Sequence, residues 1–161
     1  MHAADAEDKE RKMKVEYFVA FSILFMTIES VFDILYQRLP EKLTWFMFLL
    51  AVVGKLLLEG NIPGVLAEVI KGFIPGVIML LGGKVSRESI GYGDGVVLCF
   101  LGVIYGAKDT LEILMYGLLA AAAVSVVLLV VRKKNKKTTL PFVPFLSIGL
   151  LFYFVRKGGF A

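Results

Sequence analysis

Charge in this chain is gathered into short clusters, and long apolar runs fill the space between them. The clusters fall at 5–14, 38–42, 84–94, 108–112, 132–137 and 156–157. This is the pattern of a polytopic helical membrane protein. Hydrophobic residues make up 58% of the chain, and mean hydropathy is +0.78. A soluble domain holds roughly half apolar residues. The 161 residues leave room for about six membrane spans and little else. The expected fold is therefore all-α, with spans near 15–36, 43–58, 64–82, 95–107, 110–131 and 140–155. Residues 15–161 read as one membrane-embedded domain. Residues 1–14 read as a polar tail, expected to be disordered. No small-residue cleavage site follows the first apolar run, so no removable signal peptide is expected.

Several spans carry features that bear on packing. Lys55, near the end of the second, has a stem long enough to snorkel to the surface. Glu68 and Lys71 in the third are three apart and can pair along one face. The fourth is about 13 residues, roughly 20 Å at 1.5 Å per residue against a core of roughly 30 Å. So short a helix would let its starting residue lie below the membrane surface. Ala120–Ala123 in the fifth suit either a close neighbour or simple helix propensity. Pro141 and Pro144 open the sixth, where a missing N–H costs least.

The chain has one cysteine, Cys99, and one histidine, His2. Cys99 lies in an apolar run and reads as buried packing. With so few ligands, no disulfide framework and no Cys/His zinc site can be built. A zinc protease of the His-Glu-x-x-His kind and a histidine-activated serine are both excluded. No metal or cofactor is expected. The formal charge of +4 owes much to Arg132-Lys-Lys-Asn-Lys-Lys137. A basic run beside a span marks topology far more often than nucleic-acid binding.

Against this background two aspartates stand out. Asp33 ends the first apolar run, and Asp94 directly precedes another. A carboxylate in or near lipid is costly and usually faces a protein interior or wet cavity, where it has a role. Two spans separate them, so both fall on one side of the membrane. Arg38, Lys42, Lys84, Arg87 and the Arg132–Lys137 cluster share that side, which marks it as cytoplasmic. Each aspartate has a plainer reading, Asp94 as an N-cap and Asp33 as an interfacial acid at a helix end. Glu29, one turn before Asp33, is either a third member of a polar cavity or a partner for a cation. Two close carboxyls share a proton, so one can activate water as a base while the other acts as an acid. Gly91, Gly93 and Gly95 allow a tight turn and a close approach of substrate backbone, or simply form an interhelical turn.

Gly91-Tyr-Gly-Asp94 resembles the Gly-x-Gly-Asp motif of membrane aspartyl proteases. The stretch Asp33-Ile-Leu-Tyr-Gln-Arg38-Leu-Pro40-Glu-Lys-Leu-Thr44 resembles the one that follows the first aspartate in type IV prepilin peptidases, which often runs on to Pro-Asn-x-Leu-Thr. Leu140-Pro-Phe-Val-Pro-Phe-Leu146 is similar to that family's Pro-Phe-x-Pro-Phe segment. The matches run in family order over nearly the whole chain. The resemblance implies an aspartic endopeptidase in a prokaryotic plasma membrane. It would cleave the basic leader from prepilin-like or preflagellin-like proteins at the cytoplasmic face. Asp33 and Asp94 would be the catalytic pair, with Arg38, Pro40, Pro141, Pro144 and the three glycines in support. The lipid bilayer would be its other partner, with no nucleic acid. Glu41 stands where the family often has Asn, and Val96 where a Lys commonly follows the motif. The four-cysteine zinc segment of longer bacterial enzymes is absent from these residues, so N-methylation is not expected. The likeness is to the short peptidase-only or archaeal preflagellin forms.

Two other readings remain. Ser89-Ile-Gly-Tyr-Gly-Asp94 also resembles a potassium-channel filter. The polar Lys84–Ser89 stretch is a poor pore helix, however, and the channel leaves Asp33 unexplained. The third reading is an inactive homologue that only binds pilin-like helices.

Overall fold

The computed structural model describes residues 2–37, 39–59, 61–85, 92–132 and 140–158. These residues form five helices: α1 (His2–Tyr36), α2 (Glu41–Glu59), α3 (Ile62–Val85), α4 (Tyr92–Arg132) and α5 (Val143–Arg156). The all-α expectation holds. Among the described residues three stretches are long and apolar enough to cross a membrane: Glu16–Tyr36, Ile62–Gly82 and Tyr92–Val130, the last interrupted at Gly106. The helix Val143–Arg156 is apolar but shorter.

One boundary departs from expectation. Residues 2–14 are not a disordered tail but the first turns of α1. Ala, Glu, Lys, Arg and Met dominate that stretch, and all are strong helix formers. The expected fourth and fifth spans are the two halves of α4, separated close to the expected boundary by non-helical backbone at Gly106 (φ 78°, ψ 168°). That conformation is open essentially to glycine alone.

The chain reverses direction at Gly106. Residues 92–105 run antiparallel to α1, since Phe25 stacks on Phe100 at 4.0 Å and Ser22 meets Tyr105. Residue Asp33 meets Val143 and Ser30 meets Ser147, so α5 is also antiparallel to α1. The second half of α4 is in turn antiparallel to α5, with Asp109 at Tyr153 and Gly117 at Leu146. The two halves of α4 therefore point in opposite directions. The buried core runs between them, from Phe25 and Met26 through Leu98, Phe100 and Leu101 to Ile113, Leu146 and Leu150.

Glycine, rather than the alanine run, sets the closest approach. A Cβ on Gly72 or Gly102 would strike the other's backbone carbonyl, so α3 and α4 touch main chain to main chain. Gly76 lies against Cys99 in the same seam. Cys99 is buried, as expected. Ala122 and Ala123 are exposed.

The charged residues inside spans pair mainly across helices. Lys55 does not snorkel. It is 7% exposed, with Nζ 2.8 Å from Glu68 Oε2 and donating to the Val103 carbonyl at 3.2 Å. Glu68 thus bonds across to α2, and Lys71 on its own helix adds a smaller attraction. The break at Gly106 leaves carbonyls of the preceding turn short of helical donors, and the ammonium supplies one. Cations are favoured at that end of a helix.

Gly102→Leu is expected to cost at least about 1–3 kcal/mol, because backbone, not a movable side chain, fills the space. Thermal unfolding in detergent should show a clear fall in Tm. Ala122→Leu, on an exposed face, should leave Tm nearly unchanged.

Candidate active site

Asp33 sits in the last turn of α1 and is buried, with 7% exposure. Its Oδ2 accepts the Val143 N–H at 2.9 Å. The sequence of α5 explains why that N–H is available. A helix start leaves its first N–H groups without intrahelical partners. Here Phe145 and Leu146 donate to the Phe142 carbonyl at 3.0 and 3.1 Å. Pro144 has no N–H to place. Phe142, at the cap position, offers no side-chain bond. The Val143 and Phe142 N–H groups are the donors left over, and Asp33 reaches across from α1 to take them. Asp33 is thus an N-cap in trans, at the helix end where negative charge is favoured. Pro141 and Pro144 bracket this contact.

α1 stops immediately afterwards. Gln37 donates its N–H to the Asp33 carbonyl at 3.0 Å and adopts a left-handed conformation, φ 51°. This is the usual way to end a helix, though usually with glycine. Pro40 then begins α2, its carbonyl accepting from Leu43 N–H at 2.8 Å and Thr44 N–H at 3.0 Å. Arg38 lies outside the described residues, as does the side chain of Glu41.

Asp94 is half-buried in the first turn of α4. Its plainer reading was a cap on a helix beginning at 95; the helix instead begins at Tyr92, placing Asp94 inside it. The carboxylate remains at the end where the helix dipole favours it. Gly93 and Gly95 are helical as well, not a turn. Their role is packing: a side chain on Gly93 would lie 2.6 Å from Leu39 Cδ1, and one on Gly95 would strike Leu80. Gly91 lies outside the described residues. Helical Tyr92–Asp94 cannot point carbonyls into a pore, because a helix spends them on its own ladder. Tyr92–Asp94 therefore lack the geometry of a potassium filter, and Ser89–Gly91 lie outside the described residues.

The Gly93–Leu39 contact has a further consequence. Leu39 belongs to the short turn after Asp33, so the start of α4 packs onto the end of α1. Asp33, Pro40, Gly93, Asp94, Pro141 and Pro144 therefore gather at one end of the bundle. The Lys55–Glu68 pair and the Tyr153–Asp109 bond lie toward the other.

Glu29 is the feature that sequence reasoning placed only loosely. It is fully buried, and the Thr44 hydroxyl lies 2.7 Å from its Oε1. The spacing of Glu29 and Asp33 put them on one helix face. Nothing in the spacing pointed to Thr44 on α2. Among the described residues no group of three or more His, Cys, Asp or Glu could hold a metal ion.

A family model described as the type IV leader peptidase family matches residues 20–130, which hold both aspartates. The chain belongs to that family. It is also similar to a prepilin leader peptidase/N-methyltransferase of Xanthomonas campestris pv. campestris, at 28% identity over 128 residues. That match covers 77% of this chain and 44% of the relative, so the chain spans less than half of the relative's length. No solved structure matches. The Pro141–Pro144 segment lies beyond the residues matched to the leader peptidase family, and its link to the site is the Asp33–Val143 bond.

Asp33→Leu should cost about 1–3 kcal/mol, because it strands the buried Val143 N–H. Asp33→Asn keeps an acceptor and should cost less. Tm in detergent for the two variants checks this, and equal losses would contradict the capping role.

Proposed function

We propose that this protein is a membrane aspartic endopeptidase that removes the leader from prepilin-like proteins at the cytoplasmic face of the membrane. The observation that carries this reading is the gathering of Asp33 and Asp94 at one end of the bundle, in a chain of the type IV leader peptidase family. The two aspartates are set by contacts rather than left on loops. Asp33 is held by Val143 N–H, and the helix bearing Asp94 is seated on Leu39.

In the proposed reaction one carboxylate takes a proton from water as its oxygen attacks the scissile carbonyl carbon. The other, protonated, carboxyl delivers a proton to the leaving nitrogen as the C–N bond breaks. The products are a free carboxyl on the leader and a free amine on the mature protein. After each turnover the proton returns through solvent, so no cofactor is consumed. The cytoplasmic orientation rests on Arg38, Lys42 and the basic cluster, of which residues 133–137 lie outside the described residues.

Purified protein incubated with a prepilin-like substrate should release its leader. Asp33→Asn and Asp94→Asn should each lower the rate by at least about 10²-fold, the range lost with a general acid or base. Native unfolding profiles for both variants would separate lost chemistry from lost fold. Undiminished cleavage by folded Asp94→Asn would exclude the dyad. Binding without cleavage by the parent would favour a homologue that only holds pilin-like helices.

A further inference from the structure

Glu29 is the fully buried acid that the proposed reaction does not use. It has no exposed surface, and its Oε2 has no hydrogen-bond partner among the described residues. The charged group acting on it is Asp33, one turn further along the same helix. An ionised carboxylate buried with one oxygen unpartnered and a like charge beside it is a costly arrangement.

The hydrogen bonds around Thr44 show where such a proton would sit. The Thr44 hydroxyl lies 2.7 Å from Glu29 Oε1 and 3.2 Å from the Pro40 carbonyl oxygen. A hydroxyl carries one hydrogen, so it cannot donate to both. Pro40 also accepts the Leu43 and Thr44 N–H groups, so its carbonyl is served whether or not Thr44 O–H reaches it. With a proton on Oε1, Glu29 O–H donates to Thr44 Oγ1, and Thr44 O–H donates to the Pro40 carbonyl. The unpartnered Oε2 is then a neutral carbonyl oxygen, which is far cheaper to bury than an anion.

We propose that Glu29 is held as the neutral acid and acts as a positioning residue, its proton completing a Glu29–Thr44–Pro40 chain that ties α1 to the turn carrying Asp33 into α2. Neutral Glu29 also adds no negative charge one turn from Asp33. The effect on catalysis rests on the peptidase reading; the protonation does not.

The test is infrared spectroscopy of the resting protein at neutral pH, with cleavage assayed in parallel. Parent minus Glu29→Gln should contain the carbonyl stretch of a protonated carboxylic acid. Thr44→Val should shift that band, since the acid loses its acceptor. Carbon-13 labelling of glutamate carboxyls gives the same reading without substitution, should a variant fail to fold. A difference spectrum showing only carboxylate bands, or a band indifferent to Thr44→Val, would overturn the proposal. In the cleavage assay Glu29→Gln replaces one neutral group by another and should leave the pH profile in place. A shifted acidic limb would mean that a charge had been removed, and would also overturn it. A parent that cleaves nothing while showing the acid band would sink the peptidase reading alone.

Discussion

The contact between Asp33 and the Val143 N–H is the interaction on which the candidate site depends. It joins the end of α1 to the start of α5, two elements separated by most of the chain. A buried carboxylate and an orphan helix donor are each unfavourable alone, and each removes the other's cost. Pro144 sharpens the match by contributing no competing N–H. The capping role of the aspartate explains how a costly group persists at the edge of an apolar core.

Around this contact the molecule sorts its polar groups by level. One end holds both aspartates, the turn from Gln37 to Pro40 and the opening of α5. The interior holds Glu29 and Thr44. The other end holds Lys55 with Glu68 and the bonds of Asp109 and Tyr153. Membership of the type IV leader peptidase family gives the first end its proposed meaning. The second end stabilises the break at Gly106, where Lys55 serves a carbonyl that the interrupted helix leaves behind.

Much of this was legible in the sequence, because hydropathy is a local signal. The apolar runs located α2, α3 and α5 to within a few residues, and span parity placed both aspartates at one end. What escaped were partners distant in sequence. Lys55 was expected to snorkel, yet it has Glu68 within reach on the next helix and an open carbonyl on α4. Glu68 and Lys71 were near enough along one face to pair, but the buried ammonium offered Glu68 a closer charge. Gly93 and Gly95 were read as turn formers, since glycine marks turns in sequence; here they are helical and make space for Leu39 and Leu80. The extended α1 was missed because polarity was taken for disorder, although those residues favour helix.

The seam between Gly72 and Gly102 bears on how a substrate could enter. Main chain against main chain has no rotamers to rearrange, so α3 and the first half of α4 behave as one rigid plate. Asp94 rides on that plate. α5 meets the second half of α4 in the same way, at Gly149 and Gly117, so an opening that admits a polypeptide falls to α1 and its turn. Asp33 would then be the mobile member of the pair, and Asp94 the anvil.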